Sequence, residues 1–271
     1  MAFILTDSNA TNSYEDIVEI SADHFGGNIK IDYADIADQN EDLVEQIVEL
    51  GVTNLRYPGG TVTETKVDVN NPLRTTTDAA GNTIVGLTDF MLTAKEIFSG
   101  VEQRAAELGQ PDPDCGISLV VPTKGAVNAD GSVNYDYLDA VVESFLRKAI
   151  SEAAKNGVKI KQIEIGNEFA VGEEPSTDTD GDPTDNRMLS STYGDIANYL
   201  IKAIDDELDG PSHNNLDEMG YSTGAEPDIL IQTAYSGKAV GDVSAAAQNN
   251  VIIGMLDDEA KNELDGVTSH Y

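Results

Sequence analysis

The chain has 271 residues, 40% of them apolar, with 24 Gly and 9 Pro, so it is long enough for a full core and is neither a disordered tail nor a collagen-like repeat. Its 49 acidic residues against 16 Lys and Arg give a formal net charge of −33, which repels nucleic acid and anionic lipid and argues against both as partners. One cysteine, Cys115, excludes an internal disulfide and any multi-cysteine metal site, three scattered histidines argue against a zinc site, and no apolar run is long enough to insert into a membrane.

The first strand region spans Asp16–Ile20 and His24–Ile29 and leaves through a Gly-rich exit. Over 40–50 the spacing predicts a helix, with Leu43, Ile47 and Leu50 on one face and Gly51 as its stop. Thr53–Tyr57 is a short strand ended by Pro58-Gly59-Gly60. Thr88 has the chemistry of an N-cap for a helix running to about Leu108, and Gly109 is its stop. Gly116–Val121 is a buried strand, and Tyr135–Asn156 a long amphipathic helix stopped at Gly157. A strand over Ile160–Ile165, a helix over Thr192–Leu208, a strand over Asp228–Thr233, a partly helical stretch over Val240–Leu256 and a strand over Val267–Tyr271 complete the alternation.

Strands alternating with helices indicate a parallel α/β sheet. A doubly wound sheet would carry a Gly-rich phosphate loop after its first strand, and His24-Phe-Gly-Gly-Asn matches neither the dinucleotide nor the P-loop pattern. A barrel places its chemistry at the C-terminal ends of its strands. The unusual residues Asn28, Arg56, Lys124, Asn167, Glu168 and His270 stand at those ends. The expected fold is therefore α/β of the (β/α)8 TIM-barrel type, with about six βα units in one domain over residues 1–271.

Three short motifs could carry chemistry. The first is Glu164-Ile-Gly-Asn167-Glu168, at the end of the fourth strand. Strand alternation points Gln162 and Glu164 into the barrel, with Glu168 continuing that parity at the rim. A partly desolvated carboxyl at such a rim can hold a proton near neutral pH, as a general acid must. Asn167 offers both a donor and an acceptor, which suits a sugar hydroxyl. The bland alternative is that Asn167 and Glu168 only cap the following loop. The second motif is Asn54-Leu-Arg56-Tyr-Pro-Gly-Gly60, whose inward Arg56 needs an anion. That anion is a catalytic carboxylate, a ligand group or, in a purely structural reading, Glu164. The third is Ser269-His270-Tyr271, a hydroxyl-binding pair or a structural histidine at the last strand end.

Together the three motifs resemble the retaining (β/α)8 glycoside hydrolase superfamily, in its arabinofuranosidase, heparanase-like and xylosidase-like branches. In order and spacing the resemblance spans residues 24 to 271. It implies a carbohydrate substrate, no organic cofactor, and Glu168 as the acid/base. It implies further that Asn167 binds the hydroxyl next to the reacting carbon and that Arg56 holds the nucleophilic carboxylate. His270 and Tyr271 would line the site, and Asn28 joins them as a substrate-binding candidate. In that superfamily the nucleophile is a Glu ending strand seven, so it is expected downstream of residue 271, in a further barrel segment. The 271 residues alone are then expected to be inactive. The alternative is a non-catalytic barrel that binds carbohydrate or mediates adhesion within a larger acidic extracellular protein. The chain has no Trp, so Tyr57, Tyr235 and Tyr271 are the rings left for stacking on a sugar.

Asp178, Asp180, Asp182 and Asp185 alternate around Gly181 with a spacing used for Ca2+, or else form a plain solvated acidic loop. The first residues, Met-Ala-Phe-Ile-Leu-Thr-Asp, have no basic flank and do not form a secretory signal. Acid spread along the chain fits an extracellular, secreted protein exported by a C-terminal signal, and equally the cytoplasm of a salt-loving organism.

Overall fold

A computed structural model describes residues 3–5, 18–20, 26–30, 41–60, 62–79, 81, 83–169, 189–221, 226–234 and 245–268. Six parallel strands form its main sheet: β1 Gly26–Lys30, β2 Asn54–Gly59, β3 Gly116–Val121, β4 Ile160–Ile165, β5 Asp228–Gln232 and β6 Gly266–Thr268. Each strand pairs with the next one in the chain, so the spatial order is the sequence order.

That order decides the architecture. A doubly wound sheet reverses its strand order at a switch point. Here the order never reverses, and right-handed crossovers then place every helix on one face. The sheet is an α/β arc of the (β/α)8-barrel type with six strands. Among the described residues β1 and β6 are its edges and do not pair with each other, so the barrel is not closed there.

The main crossover helices are α1 Glu41–Leu50, α2 Leu87–Glu107, α3 Tyr135–Ala140, α4 Arg147–Asn156, α5 Ser190–Asp209 and α6 Ala245–Met255. A π-helical turn, Val141–Leu146, joins α3 to α4 within one continuous rod. On one face of the sheet Leu55, Tyr57, Ile117, Leu119, Val121, Ile163, Ile165, Ile229 and Ile231 are all buried within a single apolar cluster with these helices. Gly157, in the left-handed conformation at φ 67°, closes α4 where a glycine stop was expected. No helix among the described residues is long and apolar enough to cross a membrane.

Several local expectations are corrected. The first strand region divides: Val18–Ile20 pairs antiparallel with Phe3–Leu5 in a separate small sheet, and only Gly26–Lys30 joins the main one. Thr88 is not an N-cap. Helix α2 begins at Leu87 behind an extended Gly86, whose missing Cβ makes room for the Leu73 carbonyl oxygen, 2.3 Å from where a Cβ would sit. Thr88 lies inside the first turn and donates its hydroxyl to Glu152 at 2.6 Å. The stretch 240–244 of the expected last helix and 269–271 of the expected last strand lie outside the described residues.

Candidate active site

The sheet face away from the helices carries two polar layers. In the lower one, Asn54 Nδ2 donates to Ser118 Oγ at 3.0 Å, and Ser118 Oγ donates to Gln162 Oε1 at 3.0 Å, linking β2, β3 and β4. One pleat nearer the strands' C-terminal ends, Arg56 meets Glu164. The guanidinium Nε donates to both carboxylate oxygens at 3.0 and 2.9 Å, and Nη2 lies 2.8 Å from Oε2. The expected inward parity of Asn54, Arg56, Gln162 and Glu164 is thus what joins them.

The ion pair does not exhaust Arg56. Its Nη2 also donates to Asn167 Oδ1 at 3.2 Å, so the same guanidinium reaches from the barrel interior to the rim. The side chain of Arg56 remains 15% exposed and that of Glu164 only 6%. The structural partner proposed from sequence is present, and it is tied to the Asn167-Glu168 motif rather than isolated from it.

A second carboxyl, not foreseen from sequence, braces the same rim. Glu64 lies in a short helix, Val62–Lys66, just after β2. Its Oε2 accepts the backbone N–H groups of Thr123 at 2.7 Å and Lys124 at 2.8 Å, beyond the end of β3. Its Oε1 accepts the backbone N–H of Asn167 at 2.7 Å and the Thr123 hydroxyl at 3.2 Å. Burial pushes the Glu64 carboxyl above its ordinary value, while the amides of Lys124, Asn167 and Thr123 pull it down. One side chain therefore fastens the exits of β2, β3 and β4 together.

Glu168 is half-buried and has φ 50°, the left-handed region that residues with a Cβ avoid. Phe169 follows it, fully buried and stacked on Tyr193 of α5, with centroids 4.1 Å apart and planes at 5°. The Phe169 N–H donates to Gln232 Oε1 at 3.1 Å, from the end of β5. Two buried donors are left without an acceptor at this rim, Asn167 Nδ2 and Gln232 Nε2. A stranded buried donor costs about 1–3 kcal/mol, so such atoms cluster where a ligand completes them or where their other contacts matter more.

Arg56, Glu164 and Asn167 are brought together, and Glu168 follows Asn167 in the chain. The backbone of Asn28 lies in β1 directly across from Arg56, and its side chain is outside the described residues. His270, Tyr271 and Tyr235 lie outside them, as do Asp178, Asp180, Asp182 and Asp185. Tyr57 is not a sugar-stacking ring: it is 2% exposed, stacks on Phe90 at 4.2 Å, and donates its hydroxyl to the Val85 carbonyl at 2.7 Å. Its parity is opposite to that of Arg56, which places it among the helices.

No protein-family model matches the chain, and no curated protein does. Among solved structures, the chain is similar to a family 51 alpha-L-arabinofuranosidase from Bifidobacterium longum, with 18% identity and a TM-score of 0.48, over 91% of this chain and 44% of that one. The chain therefore spans less than half the length of that enzyme.

Proposed function

We propose that this chain is the acid/base part of a retaining glycoside hydrolase, with Glu168 as general acid and then general base. The observation that carries the reading is the reach of Arg56, which bonds Glu164 within the arc and Asn167 at the rim, next to Glu168. Asn167 has its acceptor held by Arg56 and its amide donor unpaired, which leaves that donor for a substrate hydroxyl next to the reacting carbon. His270, Tyr271 and Asn28 would line the same end of the barrel.

In this reading Glu168 protonates the leaving glycosidic oxygen while a second carboxylate attacks the anomeric carbon from about 5–5.5 Å away. A glycosyl-enzyme forms, and Glu168 then takes a proton from the water that releases the sugar. The two carboxyls bonded into this cluster do not serve as that nucleophile. Glu164 is committed to Arg56, and Glu64 to four donors. The nucleophile is assigned to a seventh strand outside the described residues. Among the described residues, the lack of an available second carboxyl in this cluster supports the rival reading, a barrel that binds carbohydrate without cleaving it.

The test, run on this chain joined to the strand that supplies the nucleophile, is hydrolysis of aryl arabinofuranosides, xylosides and glucuronides, with the anomeric configuration of the first-formed product read by NMR. Retention that depends on Glu168 is the expected result. Inversion would overturn the mechanism, and binding without turnover would favour the rival. For the acidic loop, Ca2+ held by Asp178, Asp180, Asp182 and Asp185 would raise the melting temperature, because a ligand of the folded state alone stabilises it. An unchanged melt at millimolar Ca2+ would make that loop plain surface.

A further inference from the structure

Gln232 ends β5 with the parity of Leu230, which lies across from Glu164, so its side chain belongs to the inner face of the arc. It is 2% exposed. Its contacts converge on the residue after Glu168. Oε1 accepts the Phe169 N–H at 3.1 Å. The Gln232 backbone N–H donates to the Tyr193 hydroxyl at 2.7 Å, and that hydroxyl donates to the Ile165 carbonyl at 2.6 Å. The Tyr193 ring is the one stacked on Phe169.

On the other side of Glu168, the Asn167 N–H is held by Glu64 at 2.7 Å. The amides before and after Glu168 are therefore each fixed by a side chain from elsewhere in the fold, and the residue between them is held at φ 50°. Strained backbone of this kind persists only where the surroundings over-determine it. Packing alone does not account for a glutamine at position 232. Its Nε2 is buried without an acceptor, a cost that a leucine of similar size would not carry; what the amide supplies in return is the acceptor for the Phe169 N–H.

We propose that Gln232 is a positioning residue for Glu168: by holding the Phe169 amide it fixes the turn that aims the Glu168 carboxyl. The inference rests on the glycosidase reading of Glu168. Two variants separate the hold on the turn from simple packing. Gln232→Leu removes the acceptor, and Gln232→Glu keeps an oxygen for the Phe169 N–H.

The first readout needs no substrate. Amide exchange at Phe169, followed by NMR, should quicken about tenfold or more in Gln232→Leu and stay near the parent rate in Gln232→Glu, with thermal melts confirming that both variants fold. The second readout, on the chain joined to its nucleophile strand, is the leaving-group dependence of kcat/KM, which reports formation of the glycosyl-enzyme, the acid-assisted step. Loss of a well-aimed acid should slow aryl glycosides with poor leaving groups by roughly 10–100-fold in Gln232→Leu, leave dinitrophenyl glycosides within about twofold, and be largely rescued in Gln232→Glu. Unchanged Phe169 exchange, or an equal loss on both classes of substrate, overturns the proposal. If exchange responds as expected while the chain joined to its nucleophile strand turns over no glycoside, the hold of Gln232 on the turn stands and the chemical role of Glu168 falls.

Discussion

Glu64→Ala should lower the unfolding free energy by roughly 3–5 kcal/mol, a loss out of proportion to a single exchange in a loop. The half-buried carboxylate accepts three backbone N–H groups and a hydroxyl. Its removal strands donors on two separate strand exits at once, at about 1–3 kcal/mol per buried group, offset in part by water entering the void. Glu64→Gln should recover only part of the loss, because its amide nitrogen must face groups that are themselves donors. Urea denaturation measures both variants, and a change below about 1 kcal/mol for the alanine variant would remove Glu64 from its bracing role. The pH dependence has a definite sign. Burial raises the Glu64 pKa in the fold above its ordinary value, so relative to the unfolded chain the fold favours the protonated form. That contribution is full below the unfolded value and is lost as pH rises through the folded one. Glu64→Gln cannot titrate, so the stability gap between parent and variant should narrow as pH rises through that window.

The second large effect is on activity. In the active enzyme Glu168→Gln should lower turnover of substrates with poor leaving groups by about 10²–10⁴-fold, the range general acid catalysis supplies. Substrates whose leaving group needs no proton should form the glycosyl-enzyme at near the parent rate and then stall, because the variant lacks the base for the second step. Residues 1–271 alone should hydrolyse aryl glycosides negligibly, since the carboxyls bonded around Asn167 are committed to Arg56 and to backbone amides. Joining the chain to the seventh strand that the reading requires should restore turnover. Brisk hydrolysis by residues 1–271 themselves would show that a nucleophile is already present among them.

The legible parts of the molecule were those governed by local periodicity. Strands Gly116–Val121 and Ile160–Ile165 have the bounds read from sequence, and alternation along β2 and β4 brought Asn54, Arg56, Gln162 and Glu164 to one face. What sequence could not supply was partnership across long separations. Glu64 sits in Thr-Val-Thr-Glu-Thr-Lys, a stretch with no amphipathic signal, and its acceptor role is defined by amides 59, 60 and 103 residues away. Gln232 did carry a signal. It shares the inward parity that singled out Arg56, and a search confined to acids at that strand end passes over a neutral amide. Tyr57 misled for the opposite reason: an aromatic beside an active-site motif suits a sugar, yet its parity turns it toward Phe90 and the helices.

The left-handed backbone of Glu168 sets stability and chemistry in opposition at one position. Glycine adopts that conformation without steric penalty, whereas a side chain with a Cβ costs roughly 1–2 kcal/mol there. On backbone strain alone Glu168→Gly would thus be favoured, and it would delete the only group proposed to carry the proton. Such a trade-off is characteristic of positions kept for what they do rather than for how well they fold. Screened for thermostability without an activity assay, the protein would drift toward a sturdier barrel with no acid at its rim.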